Sequence, residues 1–403
     1  MFGLTSLLGA RKLAADLQPH LQPVVPPCDW PTDADPANKT TLKVTSGIEY
    51  PRKHREVAEL FVNIQAARWL TLLIPLLPII VTGCGTFVAH RMVQAPNTYP
   101  SWFAPPARVL LSFDERFLTN SPARYADVGP PPARLHYRII EPADYDVQVS
   151  STNWRARGKV QHQFHFRTAS SPRTNRWTLS PRGTVFLLHG YGLAEFSMAP
   201  WAWRLAQAGW RCVLVDLRGH GKSTGRQIYW GLTETRDLSQ LLDSLANQGQ
   251  LALPVAVVGE SYGAALALRW KTTEPRLGPV VAIAPYAVLS NAVLNICADY
   301  AGFLPRALIR SGVAQLPVVL GVPAGELDTT TVLARHPVTA LFVTASEDDV
   351  IPPDEVRSLF AESLPGSEFI VVPGATHETV PYYFAELIPP VLAWLDAGLP
   401  TGE

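Results

Sequence analysis

Short apolar runs alternate with amphipathic stretches from residue 184 to the C-terminus. Continuous apolar runs are typical of parallel strands buried on both faces, and six of them lie at residues 184–189, 212–216, 255–259, 280–284, 341–345 and 369–372. Helical patterns separate most of these runs, at residues 198–208, 232–247, 262–273, 353–363 and 380–395. Residues 160–167 alternate polar and apolar positions and predict an earlier antiparallel strand. The whole pattern predicts an α/β fold with a mostly parallel central sheet and helices on both faces.

The N-terminal part of the chain follows a different pattern. Residues 1–67 show no sustained period, which predicts an unstructured extension, or a segment that is not translated if the true start codon lies near Val62. Residues 69–89 contain no formally charged residue, and the apolar stretch 70–81 matches the hydrophobic region of a signal peptide in length. It ends in Val81-Thr82-Gly83-Cys84, which resembles the lipobox of bacterial lipoproteins.

Three interpretations of residues 68–91 are open. The segment is a lipoprotein signal with Cys84 as the lipidated residue, an uncleaved transmembrane anchor, or a buried helix of the core. The first two place the globular part of the chain at a membrane, in the envelope of a bacterial cell. Residues 92–132 carry eight prolines and predict an extended tether, so the globular domain is expected at residues 133–400.

The composition disfavours some classes of partner. Lys plus Arg and Asp plus Glu number 34 each, so the charge balance does not favour nucleic acid. The four cysteines lie far apart in no metal-ligand or disulfide pattern, and no phosphate loop or dinucleotide motif is present. The sequence therefore predicts no metal, no cofactor and no nucleic-acid partner.

The candidate chemistry centres on Gly259-Glu260-Ser261-Tyr262-Gly263. The motif lies between an apolar run, 254–258, and a helical run, 264–268, which is the strand–turn–helix setting of a nucleophile elbow. Bulky side chains at the flanking positions would collide with neighbouring backbone in so tight a turn, and glycine occupies both positions. Ser261 is predicted at the N-terminus of a helix, where the helix dipole favours negative charge. It is the candidate nucleophile.

Three motifs together resemble the α/β-hydrolase superfamily: His189-Gly-Tyr-Gly192, Asp216-Leu-Arg-Gly-His-Gly-Lys-Ser223 and the Ser261 motif. The serine aminopeptidase and monoacylglycerol lipase-like group is the most similar branch. The resemblance covers residues 184–395 and implies a serine hydrolase whose nucleophile, acid and histidine follow in that order along the chain. It also implies a lid insertion at residues 286–337, and a structural role for the turn at 216–223.

His377 is the predicted base, because it lies in a loop directly after the last strand, whereas His336, the other histidine that follows the elbow, precedes a strand. A serine hydroxyl needs such a base beside it. The acid is expected after the strand 341–345, where Glu347, Asp348 and Asp349 are adjacent. The segment resembles the family's G-x-x-D-x-x-V-P loop, which implies Asp348, with Asp349 and Glu347 as alternatives.

Two backbone N–H groups are expected to stabilise the oxyanion of the intermediate. One belongs to Tyr262, directly after the nucleophile. The resemblance of residues 189–192 to the family's HG-x-G motif implies Tyr191 as the other. Together with the apolar lid, these residues predict cleavage of a lipid-like or small acyl ester through an acyl-enzyme. The alternatives are an acyltransferase or peptidase with the same triad, and a surface-tethered binding module without catalysis.

Overall fold

The computed structural model describes residues 76–99, 109–113, 121–156, 159–168, 180–300 and 304–399. The strands are β1 (Val109–Phe113), β2 (Arg124–Val128), β3 (Ala133–Ile140), β4 (Val147–Ala156), β5 (Lys159–Thr168), β6 (Thr184–Leu188), β7 (Arg211–Val215), β8 (Val255–Glu260), β9 (Leu277–Ile283), β10 (Leu341–Ala345) and β11 (Glu368–Val372). The α-helices are α1 (Leu76–Val93), α2 (Ala199–Gln207), α3 (Glu234–Asn247), α4 (Tyr262–Thr273), α5 (Leu289–Tyr300), α6 (Arg306–Leu320), α7 (Thr329–Arg335), α8 (Pro353–Ala361) and α9 (Phe384–Ala397). The expectation for residues 1–67 lies outside the described residues.

Eight strands form the central sheet, in the order β11-β10-β9-β8-β6-β7-β3-β2. Neighbours from β11 to β7 pair in parallel, whereas β3 pairs antiparallel with β7 and β2 antiparallel with β3. Every residue of β6 and β10 is buried, as strands covered by helices on both faces require. The core divides into two apolar clusters, one for each face of the sheet.

The predicted antiparallel strand at residues 160–167 is β5, and it lies in a second sheet. This three-stranded sheet has the order β1-β5-β4, with β5 antiparallel to β4 and parallel to β1. The two sheets meet through Phe166, which is fully buried in the core on one face of the central sheet.

The segment between β9 and β10 contains α5, α6, α7 and a short 3-10 helix at Ala324–Leu327. They lie within residues 286–337, where the lid insertion stays a prediction. Asn295 of α5 donates a hydrogen bond of 3.0 Å to the carbonyl oxygen of Val350, so the segment contacts the loop after β10.

Residues 92–132 were expected to form a Pro-rich tether, and the described part of this segment differs. β2 is the edge strand of the central sheet, with Val128 paired to Ala133 of β3. The prolines at 130–132 form the turn between these two strands, where they remove no hydrogen bond from the sheet. Proline is as favourable in a turn as in a linker, so its abundance did not distinguish the two. The sheet therefore begins at Arg124, before the expected boundary at residue 133.

Helix α1 packs against α6. Gly85 lies against Ser311 and Val88 lies against Gly312, so small residues allow the two backbones to approach closely. Ala89 is fully buried. Among the described residues, no helix has both the length and the apolar character that crossing a bilayer requires.

The close contact of α1 with α6 predicts that alanine in place of glycine changes the stability of the protein in opposite directions at two positions of α1. A Cβ on Gly85 would collide with the Ser311 hydroxyl and lie 3.0 Å from the Ser311 carbonyl oxygen, whereas Gly83 has nothing within 4 Å. Alanine at either position gains helix propensity of about 1 kcal/mol, but overpacking costs about 1–3 kcal/mol. We expect thermal unfolding to give a lower Tm for Gly85→Ala than for its matched control, Gly83→Ala. Equal Tm values would contradict the packing.

Candidate active site

Ser261 lies in the turn between β8 and α4. Its backbone has φ 51° and ψ −111°, a conformation that costs energy for a residue with a side chain. The Ser261 N–H donates a hydrogen bond of 2.8 Å to the carbonyl oxygen of Ile283 on β9. A Cβ on Gly263 would collide with the carbonyl oxygen of Leu188 on β6. The turn therefore requires glycine there, and it holds Ser261 at the carboxyl end of β8.

The imidazole of His377 lies between Ser261 and Asp348. His377 Nε2 is 3.0 Å from Ser261 Oγ, and His377 Nδ1 is 2.9 Å from Asp348 Oδ2. The second oxygen of Asp348 accepts backbone hydrogen bonds from Val350 at 2.9 Å and Ile351 at 2.6 Å, which fix the plane of the carboxylate. A serine is activated when a base lies within hydrogen-bond distance of its hydroxyl and a third group orients that base.

The three adjacent carboxylates after β10 differ in burial. Asp348 is 4% exposed and contacts His377, whereas Glu347 and Asp349 are exposed. The Glu347 N–H donates a hydrogen bond of 2.9 Å to the carbonyl oxygen of Ala375, which joins this loop to the loop of His377. Of the three candidates, Asp348 therefore has the position that an orienting acid needs.

The charges around His377 favour its protonated form. Burial by itself lowers the pKa of His377, but the charge and hydrogen bond of Asp348 outweigh burial, with smaller contributions from Glu378 and Glu260. The pKa of His377 therefore lies above its ordinary value of 6.5. A general base must be neutral to accept a proton. The fraction of His377 that is neutral declines as pH falls through this raised pKa.

The loop after β6 lies beside Ser261. A Cβ on Gly190 would be 3.6 Å from the Cβ of Ser261. His189 is fully buried, and its Nε2 accepts a hydrogen bond of 3.1 Å from a backbone N–H in the loop after β7. Burial lowers the pKa of His189, which keeps the ring neutral and able to accept this bond. The roles of the Tyr191 and Tyr262 N–H groups as oxyanion donors stay predictions.

Comparison with known proteins finds a family model and several relatives that are similar to this chain. A model of the hydrolase family described as serine aminopeptidase, S33, matches residues 179–331. A monoacylglycerol lipase of Mycolicibacterium smegmatis is 28% identical over 174 residues, which cover 41% of this chain and 57% of that protein. The uncharacterized protein YqkD of Bacillus subtilis is 25% identical over 181 residues, which cover 44% of this chain and 59% of that protein.

A solved esterase structure from Pyrococcus furiosus has the same fold, with a TM-score of 0.51 and 19% identity, covering 73% of this chain and 99% of that chain. The chain has the α/β-hydrolase fold. The predicted fold class and the predicted resemblance are thereby confirmed. The matched region spans less than two thirds of the length of the two curated relatives.

An aromatic cluster that the sequence patterns did not predict includes Tyr262, the residue directly after Ser261. The ring of Tyr191 stacks on Trp230 at a centroid distance of 5.3 Å and an interplanar angle of 10°. The ring of Tyr262 is 5.6 Å from Trp230 and 6.3 Å from Tyr191, nearly perpendicular to both. The two residues predicted to supply oxyanion donors therefore share Trp230 as a packing partner.

A buried carboxylate holds Trp230 in its position. Trp230 has φ 52°, and Glu234 accepts hydrogen bonds from the N–H groups on either side of it, Tyr229 at 2.6 Å and Gly231 at 2.9 Å. Burial raises the pKa of Glu234, although these hydrogen bonds act against the increase. Trp230 belongs to none of the sequence motifs. Its packing against Tyr191 and Tyr262 depends on a turn that only the folded chain forms.

A buried cluster of His136, Glu195 and Asp216 places its ligand atoms within 4.8 Å of one another, as a metal site requires. Each member already has a protein partner. His136 Nδ1 is 2.8 Å from Asp216 Oδ2, and Arg138 Nε donates a hydrogen bond of 2.8 Å to Glu195 Oε1. Burial opposes ionisation of Asp216, but the His136 hydrogen bond and other donors outweigh it and lower the pKa of Asp216. The cluster ties β3 to the loop after β7, which fits a structural role for Asp216.

Cys84 lies on α1, and its side chain is exposed. Gly85 and Ala89, which follow Cys84 on α1, are buried. Lipidation of Cys84, a membrane partner and location in the bacterial cell envelope stay predictions.

Proposed function

We propose that this α/β-hydrolase cleaves a carboxylic ester by nucleophilic attack of Ser261. The observation that carries the proposal is the pair of hydrogen bonds made by one imidazole, 3.0 Å to Ser261 Oγ and 2.9 Å to Asp348 Oδ2. With this pairing, His377 removes the hydroxyl proton as Ser261 Oγ bonds to the carbonyl carbon of the substrate.

The reaction has two halves in this proposal. The backbone N–H groups of Tyr191 and Tyr262 stabilise the oxyanion that forms when Ser261 attacks. Collapse of this intermediate breaks the ester bond, and His377 donates its proton to the departing alcohol. A water molecule that His377 deprotonates then hydrolyses the acyl-enzyme. Asp348 keeps His377 Nδ1 protonated and stabilises the imidazolium without taking its proton.

An ester with an apolar acyl group is the substrate class we favour. Apolar side chains predominate in α5 and α6, and α5 contacts the loop of Asp348 through the hydrogen bond from Asn295 to Val350. Apolar surface of this kind stabilises an acyl chain by removing it from water. One relative is named as a monoacylglycerol lipase. Peptide cleavage is the second candidate, because the matching family is described as serine aminopeptidase.

Hydrolysis of p-nitrophenyl esters from acetate to laurate tests the proposal. We expect kcat/KM to rise by about fourfold for each methylene that the enzyme buries, until the acyl site is filled. Aminoacyl p-nitroanilides serve as peptidase substrates, and an added alcohol serves as an acyl acceptor. Faster cleavage of anilides would favour a peptidase, and a predominance of transferred ester over free acid would favour an acyltransferase. A folded enzyme that cleaves none of them would favour a binding module.

A further inference from the structure

The carboxylate of Glu260 connects three parts of the active site. Glu260 is the last residue of β8 and precedes Ser261, and it is 3% exposed. Its Oε1 atom accepts a hydrogen bond of 2.8 Å from the Ser197 hydroxyl and one of 3.2 Å from the Gly190 N–H. One oxygen atom therefore binds two donors from separate segments of the chain.

The two donors belong to segments whose position affects the oxyanion. Gly190 directly precedes Tyr191, the predicted donor, and a Cβ on Gly190 would lie 3.6 Å from the Cβ of Ser261. Ser197 lies in the 3-10 helix Glu195–Met198, which follows this loop and leads into α2. The loop is thus fixed at both ends, and the same side chain fixes both.

We propose that Glu260 is a positioning residue that sets the oxyanion loop, residues 189–194, relative to Ser261 through its hydrogen bonds to Gly190 and Ser197. The inference rests on the proposed function, because it assigns the loop a role in stabilising the oxyanion. A carboxyl group is suited to the task because one oxygen accepts two hydrogen bonds without a second side chain. Burial raises the pKa of Glu260, while both hydrogen bonds lower it.

Two substitutions separate the hydrogen bonds from the packing. Glu260→Gln keeps an oxygen that accepts both bonds, whereas Glu260→Leu keeps a similar volume and accepts none. Because a displaced oxyanion donor weakens transition-state stabilisation, we expect Glu260→Leu to reduce kcat by about 10- to 100-fold with little change in KM. Glu260→Gln should remain within about fivefold of the wild-type kcat. Steady-state kinetics on one p-nitrophenyl ester, at a temperature where each variant is folded, measure these changes.

Hydrogen–deuterium exchange of the full chain provides a readout that does not depend on hydrolysis. We expect faster exchange at residues 189–198 in Glu260→Leu, near wild-type exchange there in Glu260→Gln, and unchanged exchange in α3 as an internal control. If the wild type cleaves no ester, the ester proposal fails, and exchange in this loop still tests whether Glu260 holds it.

Three outcomes would overturn the inference. The first is unchanged exchange at residues 189–198 in Glu260→Leu. The second is an equal loss of kcat in the leucine and glutamine variants, since glutamine retains the oxygen to which the role is assigned. The third is a loss of kcat that is wholly explained by a lower Tm or a smaller folded fraction, which would assign Glu260 a structural role alone.

Discussion

Ser261→Ala should reduce the kcat of ester hydrolysis by about 10⁶-fold, because it removes the atom that forms the acyl-enzyme. The fold should be retained, since the turn depends on the backbone bond from Ser261 to Ile283 and on the flanking glycines, and alanine preserves both. Labelling by a fluorophosphonate probe should disappear together with hydrolysis. Kinetics and gel-based labelling of purified protein measure the two effects.

Ser358→Ala is the matched control for this variant. Ser358 lies on α8 with an exposed side chain, so the same loss of a hydroxyl should leave hydrolysis and labelling unchanged. Retention of more than a small fraction of activity or labelling by Ser261→Ala would assign the nucleophile to another residue. In that case the hydrogen bond of 3.0 Å between Ser261 and His377 would not contribute to catalysis.

Asp348→Asn should reduce kcat/KM by about 10⁴-fold, through the wrong tautomer of His377. The Val350 and Ile351 N–H groups both donate to Asp348 Oδ1, so they hold the amide oxygen of an asparagine on their side. The amide NH₂ then faces His377 Nδ1, which must accept a hydrogen bond. The proton moves to Nε2, and the imidazole loses the lone pair that would accept the Ser261 proton.

The pH dependence of the residual activity checks the same assignment. The Asp348 charge raises the pKa of His377, so its removal should shift the acid limb of kcat/KM to lower pH. Asp349→Asn is the control, because Asp349 is adjacent but exposed and should leave both the rate and the acid limb unchanged. A larger loss in Asp349→Asn than in Asp348→Asn would identify Asp349 as the acid.

Much of the fold followed from local patterns. The six continuous apolar runs correspond to β6 to β11. A strand buried on both faces is apolar along its length, as the fully buried β6 and β10 are, whereas β11 lies at the edge of the sheet and is only partly buried. The elbow was equally predictable, since a strand, two glycines and a helix around one serine constrain the backbone at a single place. Boundaries differed by a few residues, as at β9, which begins at Leu277 rather than at residue 280.

The N-terminal part was harder to interpret, because its signals have more than one physical meaning. An uncharged stretch before Cys84 is compatible with lipid or with a protein core, and proline is favourable in tethers and turns alike. For proline, contacts distant in the sequence decide between the two meanings, and the pairing of β2 with β3 is the example. The contact of Gly85 with Ser311 describes only the part of α1 that follows Cys84.

Sequence patterns were enough to predict the strands of the parallel sheet, the elbow at Ser261 and the place of His377 after the last strand, because each of these features depends on a few consecutive residues. A resemblance implied Asp348 among three adjacent carboxylates, but its burial and its distance of 2.9 Å to His377 came from the folded chain, because they arise from loops that are far apart in the sequence. The structure alone also brought Glu260 to Gly190 and Trp230 to Tyr191. Side-chain contacts of this kind depend on how the segments pack, and residue pattern along one segment does not encode them.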